Sequence, residues 1–427
     1  MRVLFVTTHF PRDFRTHVYG VFQRMRLFVD AIKELADLDF LFYVPEDINI
    51  SSAAEGMERS LLQHWDVEAR VFLCRRFDTA QKLSRWKRYG LPLFRFFKQQ
   101  GYITTSGPEQ VQAFEACVQQ RYDLIFVHRL SAMCPALLTR KSLPPILLDL
   151  DDIEHVKLLR FMDRRWEWWE KGLHVSPFPA LLGGELRAIR RARWSFVCSE
   201  QDRDYLTRYW WLRGVVAVPN CVDGATLLPV TPDPTLLFLG SFAYKPNVDA
   251  VEFLIGQVWP HVRQVMPEAR LIIGGPFSER IDHDKDVPGI EFVGFVEDLE
   301  WLYRRSRIVC APIFSGGGTR IKILEAAAYG KPIVSTRLGA EGLEVRDGYE
   351  LLLRDSPQEF ADACLRLLND SELCQRLGQN AQALVRRCYD RSRVVPLIQS
   401  FLTCTRQPSK GTRWAGRVKG GRDAHRS

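Results

Sequence analysis

Short apolar segments alternate with amphipathic stretches along almost the whole chain, and this alternation limits the possible fold more than any other feature. Such a pattern favours parallel sheets whose faces are covered by helices. Strands are predicted near 2–8, 38–44, 70–74, 123–128, 146–150, 194–198, 215–218, 235–240, 270–274, 290–293, 308–312, 332–335 and 350–353. Helices are predicted between them, for example over 19–36, 182–192, 247–264, 319–329, 357–369 and 371–388. The pattern therefore predicts an α/β protein.

The length of 427 residues suits two domains, because a single hydrophobic core rarely grows beyond about 250–300 residues. The segment TPDPT at 231–235 is rich in proline and polar residues and is the best linker. We therefore predict a first domain over 1–228, a second over 229–404 and a tail over 405–427. Two Rossmann-like halves would bind ligands in a cleft at the C-terminal ends of their strands.

The composition is that of a soluble globular protein, with 46% hydrophobic and 26% charged residues. No apolar run approaches the length of a membrane span, and the opening segment MRVLFVTTHF is typical of a strand and not of a signal peptide. The ten cysteines lack metal or disulfide spacing, and Cys74, Cys198 and Cys310 lie in apolar runs predicted to be buried strands. Free buried thiols favour a cytoplasmic protein.

The formal net charge of +8 is concentrated in two segments. The tail 405–427 holds seven basic residues and one acidic residue, and its composition predicts disorder. The segment 75–98 holds eight basic residues, one acidic residue and six aromatic residues. Together with the tryptophans of RFMDRRWEWWE (160–170), it predicts either contact with an anionic membrane or an ordinary solvated face. No base-reading motif is present, so we expect no nucleic-acid partner.

A glycine-rich block at 314–342, FSGGGTRIKILEAAAYGKPIVSTRLGAEG, carries most of the chemical information. Gly316, Gly317 and Gly318 precede an amphipathic helix that Thr319 can cap. Glycines let the backbone approach a ligand closely, and the free N–H groups of a helix start favour an anion. A simple loop and cap would give the same glycine run.

The charged residues of this block favour the ligand interpretation. Arg320 and Lys322 lie in the first helical turn, where they oppose the helix dipole unless an anion bridges them. A pyrophosphate is the best candidate. Glu325 shares the helix face of Lys322 and is well placed to accept hydrogen bonds from a ribose diol, while Ile321, Leu324 and Ala328 form the predicted buried stripe.

This block resembles the donor-site signature of the retaining glycosyltransferases of family 4, which have the two-domain GT-B fold. The resemblance continues, in the expected order, through FVCSEQDRDYL (196–206), VAVPNCVD (216–223), LLFLGSFAYKPNVDAVEFL (236–254), ARLIIGG (269–275) and GIEFVGFVEDLEWLYRRSRIVCAPIF (289–314). It is dense over about 195–390 and thin before 195. It implies two Rossmann-like domains facing a central cleft, and a last helix, near 392–403, that crosses back to the first domain.

The resemblance also implies a reaction. A sugar would pass from a nucleotide-diphosphate donor to a glycan, lipid-linked or other acceptor, with retention of anomeric configuration and without a metal or other cofactor. One position departs from the family, because Gly317 stands where a glutamate near the donor sugar is usual. We interpret the GGGTR form as a variant. A nucleotide-sugar epimerase and a non-catalytic nucleotide-sugar-binding accessory protein remain alternatives.

Two further positions are candidates for donor contact. Lys245 follows the strand 235–240, in a loop where the family commonly supplies an arginine and a lysine, and Ser241 stands near the arginine position. The alternative is a solvated loop lysine.

His128 ends the strand DLIFVH and corresponds to a family histidine near the donor sugar, with His9 and Arg129 as weaker alternatives. A structural histidine would give the same pattern.

Two segments of the first domain concern the acceptor side. The loop 8–20, THFPRDFRTHVYG, corresponds to a glycine-rich family loop near donor and acceptor, although Gly20 is its only glycine. Arg12, Arg15 and His17 could meet an acidic or phosphorylated acceptor, or the loop could be an ordinary charged surface. The segment DLDDIEH (149–155) could bind Mg²⁺ in another transferase fold, but here a structural or acceptor-side role is favoured.

The sequence thus predicts a cytoplasmic glycosyltransferase, associated with the cytoplasmic face of a membrane if the basic aromatic segment binds lipid. Arg320 and Lys322, with Lys245, would neutralise the leaving diphosphate, which is expected to be the largest catalytic contribution. Glu325 would hold the ribose and His128 would steady the sugar. Base, sugar and acceptor are not predicted.

Overall fold

The protein is described by a computed structural model that covers residues 1–14, 20–77, 90–162, 176–281, 287–316 and 320–406. It contains two separate parallel sheets, one from each half of the chain. No helix in these ranges is long and apolar enough to cross a membrane.

The first sheet has seven parallel strands in the order β3-β2-β1-β4-β5-β6-β7. They are β1 Arg2–Thr7, β2 Asp37–Val44, β3 Ala69–Arg75, β4 Leu124–His128, β5 Ile146–Asp151, β6 Trp194–Val197 and β7 Val215–Ala217. Thr7 pairs in register with His128, and His128 with Asp149. The C-terminal ends of β1, β4 and β5 therefore bring polar side chains to one edge of the sheet.

The second sheet has six parallel strands in the order β10-β9-β8-β11-β12-β13. They are β8 Thr235–Leu239, β9 Arg270–Gly274, β10 Ile290–Gly294, β11 Ile308–Ala311, β12 Ile333–Ser335 and β13 Leu352–Leu353. The helix Ile321–Ala328 follows β11, so the glycine-rich block lies at the C-terminal edge of this sheet.

Helices cover both faces of each sheet. In the first half they are Gly20–Lys33, Ile50–Trp65, Leu91–Phe94, Gln100–Ile103, Pro108–Val118, Cys134–Leu138, Glu154–Met162, Phe178–Arg191 and Glu200–Tyr209, with short 3-10 turns at Phe96–Lys98 and Leu130–Met133. In the second half they are Lys245–Phe253, Trp259–Val265, Leu299–Arg305, Ile321–Ala328, Pro357–Asn369, Ser371–Leu384 and Arg391–Arg406, with a 3-10 turn at Ser278–Arg280. Leu254–Val258 and Val385–Tyr389 are π-helical turns.

Each sheet is buried on both faces, which explains why its strands are almost continuously apolar. In the first domain Phe5, Phe28 and Phe126 are fully buried and pack ring against ring, with centroids 4.9 Å apart for Phe5–Phe126 and 4.8 Å for Phe28–Phe126. Cys74, Cys198 and Cys310 are buried and free, as predicted.

The chain passes between the domains twice. Val218 packs in the first core and Val222 in the second, so the predicted boundary at 228 lies a few residues inside the second core. The amide of Val222 donates to the Tyr389 carbonyl (3.0 Å), and the last helix, Arg391–Arg406, then returns to the first domain. There Phe401 packs edge-on against Trp194, with centroids 5.1 Å apart. The predicted return of the last helix is confirmed.

The predicted secondary structure is confirmed for every strand, and the differences lie in the helices. The predicted helices 247–264 and 371–388 each contain a π-helical turn. The predicted helix 319–329 begins only at Ile321.

Candidate functional site

The site is organised around the helix Ile321–Ala328. Its N-cap is Arg320, in extended conformation and without a side-chain cap hydrogen bond. The prediction of Thr319 as the cap is therefore wrong; Thr319, Gly317 and Gly318 lie outside the described residues. Gly316 has φ +102°, and a Cβ there would come within 2.3 Å of the Tyr244 hydroxyl, so glycine is required.

This helix buries a wider face than its sequence indicates. Leu324 and Ala328 are buried as predicted, but Ile323 is also buried, whereas Ile321 is only half-buried. The side chains of Lys322 and Glu325 lie on the remaining half-buried face. Their shared face was predicted correctly, although it is less exposed than expected.

Lys322 is held in a polar and aromatic pocket of the second domain. Its Nζ donates to Asn247 Oδ1 (2.8 Å) and lies 4.3 Å from the Phe238 ring centroid. Asn247 in turn donates to the Ser241 carbonyl (2.8 Å). Burial, helped by the nearby Arg320 cation, lowers the pKa of Lys322 to about 7. An additional anion at this position would therefore restore a fully charged ammonium.

Two glycines make room for this pocket. A Cβ on Gly275, at φ +138°, would come within 1.9 Å of the Gly240 carbonyl oxygen, and a Cβ on Gly240 would come within 2.9 Å of Lys322 Nζ. Side chains at these positions would therefore displace the lysine or separate the two strand ends.

Glu325 contacts the first domain directly. Gln23 Nε2, on the helix Gly20–Lys33, donates to Glu325 Oε1 (3.1 Å). That helix begins at Gly20, where an added Cβ would lie 3.7 Å from Ile321 Cδ1 of the second domain. Burial raises the pKa of Glu325, with Gln23 and Lys322 opposing the shift. The two domains therefore meet at the carboxylate predicted to bind ribose.

Lys245, also predicted to bind the donor, begins the helix Lys245–Phe253. Its side chain is 61% exposed and pairs with Asp249 (2.7 Å) and Glu252 (3.6 Å) of the same helix. Asp249 raises its pKa. In this structure the Lys245 ammonium is thus paired with carboxylates of its own helix. Lys322, held by Asn247 and Phe238, is the lysine that lies in the pocket.

On the first-domain side, a buried arginine fixes the edge of the sheet. Arg24 contacts both carboxylate oxygens of Asp149 (2.7–3.0 Å) and donates to the Val218 carbonyl (3.0 Å) and Asn220 Oδ1 (3.1 Å). Burial raises the pKa of Asp149 to about 6, and Arg24 opposes the shift. Arg24, which lies on the first helix, therefore connects β5, through Asp149, with the crossing segment near Asn220.

His128 lies beneath the cleft surface. Its ring is fully buried, with Nδ1 at 3.1 Å from Thr7 Oγ1 and Nε2 at 3.8 Å from Asp149 Oδ2. Burial, together with the neighbouring His9 and Arg129, lowers the pKa of His128. The half-buried His9 lies 5.5 Å away, ring centroid to centroid, and burial lowers its pKa to about 3. In this structure His9 is the more accessible of the two predicted histidines.

A charged cluster follows β4 and β5. Arg129, at φ +73°, pairs with Asp151, at φ +59°, and lies 3.6 Å from Asp152 Oδ2. Burial alone would raise the pKa of Asp151, but Arg129 and Arg24 lower it. Lys157 Nζ lies 3.7 Å from Asp152. Among the described residues, no cluster of at least three histidine, cysteine or carboxylate side chains is arranged to hold a metal ion.

The helix Glu154–Met162 is capped by a residue from another helix. Glu185 accepts hydrogen bonds from the amides of Glu154 (2.8 Å) and His155 (3.2 Å). The His155 ring bridges Glu185 Oε2 (2.5 Å) and the Tyr205 hydroxyl (2.9 Å). This helix also carries Arg160, which pairs with Glu341 of the second domain (2.8 Å).

The remaining predicted positions are more peripheral. Arg12 is exposed and pairs with Asp47 (2.7 Å), while Arg15 and His17 lie outside the described residues. So do 78–89 of the basic aromatic segment and the tryptophan cluster in 163–175. Phe94 is 76% exposed, but Phe96 belongs to the core and stacks on Tyr102 at 4.3 Å, so not all aromatics of 75–98 are available to a membrane.

Gln23 and Asn247 are site residues that the sequence did not single out. Gln23 lies near the start of the first helix, and Asn247 follows proline in a helix start. Gln23 has neither a charge nor a motif that would mark it, and Asn247, although it lies in the segment 236–254 that carries the family resemblance, has no charge. Their proximity to the helix Ile321–Ala328 is visible only in the three-dimensional structure.

Comparison with known proteins agrees with this arrangement. The segment 233–370 matches the family described as Glycosyl transferases group 1. The chain is 31% identical to phosphatidyl-myo-inositol mannosyltransferase of Mycobacterium leprae over 211 residues, which are 45% of this chain and 55% of that protein. Relatives found by sequence are matched over about half of their length or less.

Solved structures share the fold of nearly the whole chain. Sucrose-phosphate synthase of Thermosynechococcus elongatus has a TM-score of 0.68 at 16% identity, covering 94% of this chain and 98% of that one. Anabaena HepE in complex with UDP and glucose has a TM-score of 0.61 at 16% identity, covering 94% and 99%. The predicted GT-B architecture, two Rossmann-like domains, is therefore confirmed.

Proposed function

We propose that this protein is a retaining glycosyltransferase that moves a hexosyl-type group from a nucleotide-diphosphate sugar to a glycan or lipid-linked acceptor. The observation that carries the proposal is the half-buried pair Lys322 and Glu325 on the helix Ile321–Ala328, with Glu325 bridged to Gln23. The pair lies where the two domains meet, so a ligand bound there would contact both.

The electrostatics of the pocket favour a diphosphate. The Lys322 ammonium is held by an amide oxygen and an aromatic ring, which leaves its pKa depressed by burial. Arg320 adds a second cation at the same helix start, and both cations oppose the helix dipole unless an anion is bound. Glu325, one turn further on, would then hold the ribose.

The same groups would stabilise the leaving diphosphate during transfer. Preorganised positive charge aimed at a developing anion is commonly the largest single catalytic contribution. In this proposal Arg320 and Lys322 supply that charge, the amide of Gly316 adds a donor, and Lys245 joins them if it leaves Asp249. The protein therefore has its own means of neutralising the diphosphate without a metal.

Two of the similar proteins support particular substrates. HepE was solved with UDP and glucose, which makes UDP-sugars the first donors to test. The M. leprae relative is named a phosphatidyl-myo-inositol mannosyltransferase, which supports a lipid-linked acceptor. We place such an acceptor at the cytoplasmic face of a membrane.

A thermal-shift screen of nucleotide sugars tests the proposal. A ligand at 100 times its Kd should stabilise the protein by about 2.7 kcal/mol. The selected donor is then incubated with cell extract, and NMR of the product reads the anomeric configuration. No shift with any nucleotide or nucleotide sugar would contradict the donor site. Binding without any transfer would favour a non-catalytic accessory protein, and an inverted product would exclude retention.

A further inference from the structure

The cleft edge of the first domain contains two buried polar atoms whose hydrogen bonding is incomplete. Asp152 Oδ1 accepts no hydrogen bond and Arg129 Nε donates none, although both side chains are mostly buried. Most buried polar atoms are hydrogen-bonded, and an unpaired one is destabilising. These two come from neighbouring strand ends, since Arg129 follows β4 and Asp152 follows β5.

The two side chains form one local unit. Arg129 lies 3.6 Å from Asp152 Oδ2, and Lys157 lies 3.7 Å from the same oxygen. Both cations therefore engage Oδ2 and leave Oδ1 without a partner. The unit combines an unused acceptor, Oδ1, with an unused donor, Nε. A hydroxyl group both donates and accepts, so it complements such a pair.

This unit faces the second domain. The helix Glu154–Met162, which begins two residues after Asp152, reaches the second domain through the Arg160–Glu341 ion pair (2.8 Å), and the Asp152 carboxylate contributes to the raised pKa of Tyr244 in that domain, whose main cause is burial. Tyr244 in turn lies beside Gly316 and Arg320, because a Cβ on Gly316 would come within 2.3 Å of the Tyr244 hydroxyl and 3.4 Å of an Arg320 guanidinium nitrogen. Asp152 therefore lies on the side of the cleft opposite the proposed diphosphate site.

We propose that Asp152 and Arg129 bind a hydroxyl group of the acceptor, with Asp152 Oδ1 accepting its hydrogen bond and Arg129 Nε donating to its oxygen. The inference rests on the proposed function, since it places the second substrate in the same cleft. Lys157 is a positioning residue, because it holds Asp152 through Oδ2. The step is binding only, and no bond is made or broken on Asp152.

Asp152→Asn tests the inference, with Asp204→Asn as the control. Asp204 is a partly exposed aspartate of the same domain that pairs with Arg203 and Arg208 on its own helix. Three quantities are compared with the wild type: Tm without ligand, Kd for the nucleoside diphosphate chosen by the screen, and release of that diphosphate from the nucleotide sugar with glycerol as the hydroxyl probe.

For Asp152→Asn we expect Tm to stay within about 5 °C of the wild type, because the amide keeps the shape of the side chain and only weakens its pairing with Arg129 and Lys157. Nucleotide affinity should stay within about twofold, and glycerol-dependent release should fall roughly 10- to 100-fold, as for one lost hydrogen bond to a charged group. Asp204→Asn should leave release and affinity unchanged.

Unchanged release in Asp152→Asn would overturn the inference. So would a Tm lowered by more than about 5 °C, which would indicate a structural carboxylate. Absence of glycerol-dependent release from a wild-type protein that binds the nucleotide would also count against the inference. Failure of the wild type to bind any nucleotide would instead count against the donor site, so the two failures are distinguishable.

Discussion

Lys322 and Glu325 have environments that are easier to explain with a ligand than without one. Each is half-buried, and burial displaces each pKa toward the neutral form. We expect Lys322→Ala and Glu325→Ala to weaken binding of the cognate nucleoside diphosphate roughly 10- to 100-fold, because each removes a charge-assisted hydrogen bond. Calorimetry on folded variants measures this. Arg337→Ala, an exposed residue of the same domain paired with Asp355, serves as the control. Wild-type affinity in both variants would contradict the proposed contacts of Lys322 with the diphosphate and of Glu325 with the ribose.

The depressed pKa of Lys322 also predicts a pH dependence. Without ligand the amine loses its proton near pH 7, and a bound diphosphate would restore it. Nucleotide affinity should therefore fall as pH rises from 7 to 9, by at most about tenfold per pH unit, with measurable proton uptake on binding. In the free protein the sign is opposite: stability should rise over this range, because the unfolded lysine stays protonated. Calorimetry in buffers of different ionisation enthalpy tests the uptake, and Lys322→Arg should flatten the profile.

Asp149, Asp151 and Asp152 were candidates for a metal site, but the structure places arginines beside them. Arg24 binds Asp149, and Arg129 pairs with Asp151. Since cations already neutralise these carboxylates, we expect transfer activity to survive saturating EDTA with less than about a twofold loss, within normal assay variation. Activity measured before and after chelation, with Mg²⁺ added back, provides the test. A complete loss that Mg²⁺ reverses would show that a metal is required.

At the scale of elements, the Glu154–Met162 helix depends on a carboxylate from another helix. Glu185 accepts two amide hydrogen bonds at its start and a third from the His155 ring. We expect Glu185→Ala to lower the free energy of unfolding by about 3–5 kcal/mol, because buried amides and an imidazole lose their partner. Tyr205→Phe removes only the outer hydrogen bond and should cost about 1 kcal/mol. Urea denaturation measures the free energy of unfolding of both variants. If both lose the same small amount, Glu185 does not stabilise this helix.

Strands were predictable because burial on both faces imposes continuous apolar runs, as in LIFVH of β4 and ILLDLD of β5. Helix ends were less predictable. Thr319 has the right chemistry for a cap, but the chain turns into the helix only after Arg320. Lys322 and Glu325 could be inferred from local spacing on one helix. Gln23 and Asn247 could not, because their roles depend on contacts across 302 and 75 positions of the chain.

At the scale of the whole molecule, the two domains are joined by polar contacts on opposite sides of the crossing segment. Gln23 reaches Glu325, and Arg160 reaches Glu341, both within the cleft. Behind it, Arg391 of the last helix pairs with Asp30 (2.8 Å) and Asp223 (2.9 Å). Since each cleft contact is a single hydrogen bond or ion pair, which contributes about 1 kcal/mol, the cleft contacts can exchange with ligand contacts while the last helix keeps the domains aligned.

The whole-molecule charge distribution leads to a prediction about membranes. Basic residues are concentrated in 75–98 and 405–427, and each Lys or Arg near an anionic surface contributes about 1 kcal/mol. We expect co-sedimentation with anionic liposomes at low salt, largely lost at about 1 M salt because of screening. Deleting 405–427 should weaken binding but not abolish it, since the exposed Phe94 can insert. Changing Arg85, Lys87 and Arg88 to Glu should weaken it further, and neutral liposomes serve as the control. If the full chain stays in the supernatant with anionic liposomes, the segment is an ordinary solvated face.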